Sequence, residues 1–204
     1  MARMCTRQTR ALAKSIAILP QNPTAPEGLT VRELVSYGRA PYKTSFFSRT
    51  TAKDREMIDW ALTETNMMEF QHRPIGAMSG GQRQRAWIAM AIAQDTEILF
   101  LDEPTSFLDV AHQMEVLRLV QHLNEAYGKT IVMVLHELNQ AARFAHCLVG
   151  MCRGQLLYCG TPEEVFHKEM LHRVFHIDAE LMSDPRTGKP MCIPYCVNES
   201  EHSA

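Results

Sequence analysis

The stretch Ile98-Leu99-Phe100-Leu101-Asp102-Glu103-Pro104 constrains the fold more than any other part of the chain. Four apolar residues in a row are too few for a helix of ordinary length. They suit a short strand buried on both faces, as in a parallel sheet with helices above and below. Two carboxylates follow where the strand ends, and Pro104, with no backbone N–H to give a ladder, stops it. Ligands of open α/β sheets bind just beyond the carboxyl ends of the strands. An acidic pair there suits a metal–nucleotide site, with Asp102 holding Mg²⁺, often through water, and Glu103 polarising an attacking water.

The neighbouring segments repeat the theme. Ser15 to Leu19 reads as a short strand ended by Pro20, and Thr130 to Leu135 (TIVMVL) as a second buried strand ending at His136. Ser79-Gly80-Gly81-Gln82 opens an Ala-rich helix running to about Ala93. Val116, Leu119, Val120, Leu123 and Tyr127 mark one face of a helix over 110–127, which Gly128 stops. Leu138, Ala141, Ala142 and Ala145 form another helical stripe. Strand–helix alternation after residue 76 predicts an α/β fold with a parallel sheet. Ahead of it, breakers at Pro23, Pro26, Gly28, Gly38 and Pro41 surround a helix over 31–37 started by Thr30. A longer helix over 53–70, with Met57, Trp60 and Ala61 on one side, completes a small helical lobe. Residues 1–14 read as a basic helical lead-in. Late in the chain, strands over 147–151 and 155–159 join at Arg153-Gly154, helical pieces occupy 162–175, and a Pro- and Gly-bearing tail from Asp184 forms a hairpin around Thr187-Gly188 before fraying.

Composition narrows the function classes. A formal charge of −2 gives no long-range attraction for nucleic acid. No apolar run approaches the ~18 residues that cross a bilayer, and the one near the basic N-terminus is too short for a secretory signal. Six cysteines, at 5, 147, 152, 159, 192 and 196, form no CxxC pair and read as reduced thiols; only Cys192 and Cys196 stand at a spacing worth a thiol assay. The histidines are scattered, not clustered at zinc-ligand spacing.

Ser79-Gly80-Gly81-Gln82 alone is a good helix-opening turn, able to face an anion with a hydroxyl and bare amides. Followed by ILFLDEP and then TIVMVLH, it resembles the ATPase domain of ATP-binding-cassette (ABC) transporters. The resemblance runs from Ile16 to beyond Pro162. Gln21, after Ala17-Ile18-Leu19-Pro20, is similar to the Q-loop glutamine that senses Mg²⁺ and the attacking water and couples to the membrane partner. Met78-Ser79-Gly80-Gly81-Gln82-Arg83-Gln84-Arg85 resembles the signature motif, with Met where Leu is usual. Asp102 and Glu103 match the Walker B metal residue and the catalytic glutamate. Ser106-Phe107-Leu108-Asp109 looks like the D-loop, with a bulkier second residue than usual. His136 falls at the switch histidine, an uncharged donor to the γ-phosphate.

One family element is missing from these residues. A P-loop needs Gly-x-x-x-x-Gly-Lys-Ser/Thr between a strand and a helix. The one Gly-Lys-Thr, Gly128-Lys129-Thr130, has Leu123 where the first glycine belongs and precedes a strand, so it reads as a turn. The resemblance therefore implies a P-loop NTPase-like ABC ATPase domain with an incomplete parallel sheet and an inserted helical subdomain. Its divisions would be a remnant of the core over 1–22, the helical subdomain over 23–78, the α/β core over 79–182 and a tail over 183–204. It implies ATP and Mg²⁺ as cofactors, a transmembrane permease and a second ATPase subunit in a head-to-tail dimer as partners, no nucleic acid, and a peripheral place on the cytoplasmic membrane face. In such a dimer the signature turn completes the partner's site. Without a P-loop, the chain alone is expected to bind ATP weakly and hydrolyse it poorly.

Leu34-Val35-Ser36-Tyr37-Gly38-Arg39-Ala40-Pro41-Tyr42, His136-Glu137-Leu138-Asn139-Gln140-Ala141-Ala142-Arg143 and Gly160-Thr161-Pro162-Glu163-Glu164-Val165 resemble the importers of ferric siderophores, haem and cobalamin, with Glu137 replacing the usual Asp. Chromosome-maintenance ATPases share the motifs but part their halves with long coiled coils, and no sustained heptads lie between Gln21 and Ser79. The alternatives are a non-hydrolysing or regulatory paralogue, or a mis-set start codon on an ordinary gene.

Overall fold

The computed structural model describes residues 9–43 and 49–197. Residues 1–8, with Cys5 and most of the expected basic lead-in, lie outside the described residues, as does the end of the tail. Residues 9–12 are helical. Contacts divide the chain between Val134 and Leu135 into two compact units, each with its own core.

In the first unit, β1 (Ile16–Leu19), β2 (Ile98–Asp102) and β3 (Thr130–Val134) form a parallel sheet in that order. Successive strand residues face opposite ways, and the register aligns them in rows. Ala17, Leu99 and Ile131 form one row and Leu19, Leu101 and Met133 another, both turned into the core. The row between them, Ile18, Phe100 and Val132, is 66%, 39% and 43% exposed. The expectation that β2 and β3 are buried on both faces is therefore corrected. The helices that share this core lie on the face of those two rows, while residues 9–13 lie beside Ile18 and Phe100 on the other.

The helical lobe is pinned by its caps. Thr30 and Glu33 exchange capping bonds at the start of α1 (Val31–Tyr37), and Thr51 and Asp54 do the same for α2 (Ala52–Glu64). Gly38 follows α1 where the chain runs against the helix α3 (Gly80–Ala93). A Cβ there would lie 2.1 Å from the Met90 carbonyl oxygen, so only glycine fits. Arg39 is buried. Its Nε donates to Asp54 at 3.0 Å, its Nη1 donates to the Ala93 carbonyl at 2.8 Å, and its guanidinium lies 3.9 Å from the centre of the Tyr42 ring. One cation thus ties α2, the end of α3 and the turn Ala40–Tyr42 together. The helix expected over 53–70 stops at Glu64. The Thr65 hydroxyl turns back to the Ala61 carbonyl at 2.8 Å, Asn66 adopts φ +55°, and a 3₁₀ turn over Met68–Phe70 follows. The buried face of α2 is Ile58, Ala61 and Leu62, with Met57 and Trp60 only half-buried. In α4 (Val110–Tyr127), Val116, Leu117, Val120 and Leu123 are buried, and Tyr127 sits at the rim with its hydroxyl on Glu64.

The second unit contains α5 (Leu138–Phe144), the antiparallel hairpin β4 (Leu148–Cys152) and β5 (Gln155–Gly160), α6 (Pro162–Val165), α7 (Lys168–Phe175) and the hairpin β6 (Ile177–Ser183) and β7 (Pro190–Val197). Arg153 and Gly154 both take positive φ, the requirement of a tight two-residue hairpin turn. The hairpin expected around Thr187-Gly188 is present; its first strand, β6, begins ahead of the expected tail, and β7 pairs along the full length of β6. The Asn139 side chain pairs with the Cys192 backbone in both directions, at 3.0 and 2.8 Å, as a neighbouring strand would.

Candidate functional site

The register of the parallel sheet builds the first cluster. Leu19 lies beside Leu101, so two residues further on Gln21 and Glu103 emerge together beyond the same sheet edge. The Gln21 side-chain amide donates to Oε2 of Glu103, and the Ser106 hydroxyl donates to the same oxygen at 2.8 Å. Glu103 holds φ +49°, a left-handed conformation that costs a side-chain-bearing residue about 1–3 kcal/mol. The Ser106 N–H closes the turn on the Glu103 carbonyl at 3.2 Å. Asp102, the last residue of β2, carries an exposed carboxylate next to this oriented one. A half-buried carboxylate fixed by an amide and a hydroxyl can take a proton from a water placed before it, while its exposed neighbour stays free to hold a cation.

The second cluster is built on two helix starts. Ser79 caps α3: its Oγ accepts from the Gln82 N–H at 3.3 Å, and Gln82 Oε1 accepts from the Ser79 N–H at 3.1 Å. Ser79 and Gly80 are exposed, whereas Gly81 is buried against the ring of His112, where a Cβ would lie 2.3 Å from Cδ2. Asp109 caps α4, accepting from the His112 N–H at 2.9 Å, with His112 Nδ1 at 2.8 Å from both carboxylate oxygens. These bonds, the backbone one foremost, hold the Asp109 carboxyl below its ordinary range. Gly81 and Asp109 therefore meet through His112, a residue the sequence reading passed over. The signal was present as Asp-x-x-His at a helix start, where a ring nitrogen can share the capping carboxylate.

His136 belongs to the second unit, is exposed, and immediately precedes Glu137, the cap residue of α5. Among the described residues no group of three or more His, Cys, Asp or Glu side chains converges as a metal cage. Asp102 as a lone carboxylate fits Mg²⁺, which keeps several waters and takes one or two carboxylates plus phosphate oxygens. Gly128, at φ +64°, caps α4, and Lys129 donates to the Thr96 carbonyl at 2.8 Å, with burial lowering its pKa.

Comparison with known proteins decides the family. Its sequence model, described as ABC transporter, matches residues 2–106. The iron(3+)-hydroxamate import ATP-binding protein FhuC of Bacillus subtilis is 54% identical over 95% of this chain and 71% of its own length. The chain belongs to the ABC transporter ATPase family. The petrobactin import ATP-binding protein FpuD of Bacillus anthracis is 51% identical over 92% of the chain and 68% of its own length. A solved transporter described as of metal-chelate type, in an inward-facing conformation, superposes with a TM-score of 0.81 at 28% identity, covering 89% of this chain and 73% of that one. The dimeric ABC cassette MJ0796 superposes at 0.64, with 26% identity and coverage of 76% and 66%. The parallel α/β architecture expected from the ABC resemblance is thus the architecture of solved ABC ATPases. Among the described residues, no helix of this ABC ATPase is long and apolar enough to cross a membrane.

Proposed function

We propose that this chain is the ATP-binding subunit of an ABC importer that couples ATP hydrolysis to uptake of a ferric siderophore through a membrane permease. What most supports the cargo class is the identity to FhuC, FpuD and the enterobactin protein FepC of Escherichia coli, the last at 39%. What supports the chemistry is the Gln21–Glu103–Ser106 cluster at the sheet edge.

In this reading Glu103, turned and held by Gln21 and Ser106, accepts the proton of the attacking water. Asp102, with Gln21 nearby, holds Mg²⁺, which would neutralise charge on the phosphates when bound. Ser79, Gly80, Gly81 and Gln82 present amides and a hydroxyl to a γ-phosphate bound on a second ATPase subunit, in a head-to-tail dimer, and the bond from Asp109 to His112 keeps the D-loop in register with that turn. His136 donates to the phosphate from its place after β3. Gln21 and the helical lobe face the permease on the cytoplasmic side of the membrane. The 204 residues hold no Gly-x-x-x-x-Gly-Lys-Ser/Thr loop. Loss of even one preorganised donor costs about 10²–10³ in rate, so by themselves they turn ATP over poorly.

Iron uptake tests the cargo. A FhuC-deficient Bacillus subtilis strain carrying FhuC with residues 9–197 of this chain substituted for its equivalent region should regain ferric hydroxamate uptake, and Glu103→Gln in that segment should abolish it. Recovery that survives Glu103→Gln, or no recovery from a stably expressed hybrid, would contradict the reading.

A further inference from the structure

Two thiols of the second unit face each other on the β4–β5 hairpin. The register sets Val149 opposite Cys159, so Cys147, two residues earlier, falls diagonally across the ladder on the same face. Their sulfur atoms are 3.9 Å apart, and both residues are exposed. Cys147 immediately precedes the first paired residue of β4, Leu148, where the chain can adjust without opening the ladder. A disulfide requires S–S of about 2.05 Å, so the sulfurs need to close by roughly 2 Å. Cys192 is buried, its backbone held by Asn139, and Cys152 is half-buried.

We propose that Cys147 and Cys159 form a reversible oxidation site whose substrates are low-molecular-weight disulfides. The Cys147 thiolate attacks one sulfur of the small disulfide, a bond forms between them, and the S–S bond of the reagent breaks to release one thiolate. Cys159 then loses its proton and attacks the Cys147 sulfur, expelling the second thiolate. Both leaving groups take up protons, so two protein thiols are oxidised and one small disulfide is reduced to two thiols. The hydrogen bond and charge of Cys147 raise the Cys159 pKa, and the 3.9 Å separation keeps the second sulfur within reach of the mixed disulfide. The product fastens the two ends of the hairpin.

Oxidised glutathione on the native chain, followed by alkylation and trypsin, reads the result directly. Cleavage after Arg153 separates the two cysteines, so an internal disulfide joins the peptide containing Cys147 to the one containing Cys159, with a mass about 2 Da below the sum of the two reduced peptides. The link should vanish on reduction with dithiothreitol. It should be lost in Cys147→Ser and in Cys159→Ser, each of which should instead retain one glutathione adduct, and it should persist in Cys152→Ser and in Cys192→Ser/Cys196→Ser. Circular dichroism matching the unsubstituted chain establishes that the exposed serine variants fold. Stable glutathione adducts on both cysteines without a link, a link that survives Cys147→Ser, or no reaction at either thiol would overturn the proposal.

Discussion

At the scale of single residues, Gly81 and His112 show how the starts of α3 and α4 are held to one geometry. A methyl group on Gly81 drives into the His112 ring, and that ring is tied to Asp109 by two contacts at 2.8 Å. Gly81→Ala is therefore expected to destabilise the first unit by about 1–3 kcal/mol, an overpacking cost. His112→Ala on that background should return most of it, because the ring that clashes is gone. A double-mutant cycle by urea denaturation measures this coupling, and strictly additive losses would contradict the contact. Phe107 offers a cleaner case. It is 89% exposed and holds φ +62°, so its side chain gains nothing from burial and its backbone is strained. Phe107→Gly should raise stability by about 1 kcal/mol, read from the urea midpoint. Asp102 and Glu103 were named from their place at a strand end, and Gln21 and Asp109 from the resemblance to the ABC Q-loop and D-loop. The sequence could not show the left-handed turn at Glu103 or the His112 contact, since both depend on which loops meet in space.

At the scale of elements, the lobe is organised by the buried ion pair of Arg39 and Asp54. Burial pushes the Asp54 carboxyl up, but the amide and hydroxyl of Thr51 and the Arg39 guanidinium outweigh it, and the net shift is downward. A carboxyl lower in the folded than in the unfolded chain stabilises the fold above its unfolded pKa, and that contribution is lost as pH falls through the folded one. Asp54→Asn should cost about 3–5 kcal/mol at pH 7 by leaving Arg39 uncompensated, and the gap from the unsubstituted chain should narrow as the solution is acidified below pH 4. A gap that stayed constant across that range, measured by thermal melts, would remove Asp54 ionisation from the account. The cap at Thr30 was legible because side-chain chemistry marks a helix start locally, whereas the one at Thr51 was not read and its helix was started at Lys53. Helix α2 was read too long because Thr65 and Asn66 carry no strong breaker signal. The hairpin at Thr187-Gly188 was legible from its turn residues, but the extent of β6 was not, because Ile177–Ser183 gains its partner only when β7 folds back on it.

At the scale of the molecule, the order of strand, helix and motif carried the fold class, since alternation and strand-end chemistry survive without tertiary information. Which sheet face is covered was not legible. Four apolar residues in sequence look the same whether helices lie on one side or on two, and Ile18, Phe100 and Val132 are open in this chain. The two units each close a core from their own residues. The central claim is that Glu103, at the edge of the parallel sheet, drives ATP hydrolysis once a phosphate loop is supplied. The measurement that tests it is steady-state ATP turnover by the 204-residue chain and by a version preceded by a strand, a Gly-x-x-x-x-Gly-Lys-Ser/Thr loop and a helix. The chain alone should show no turnover above background, and the extended version should hydrolyse ATP at a rate that falls at least 10²-fold in Glu103→Gln while ATP binding is retained. Turnover that leaves Glu103→Gln undiminished would contradict the account.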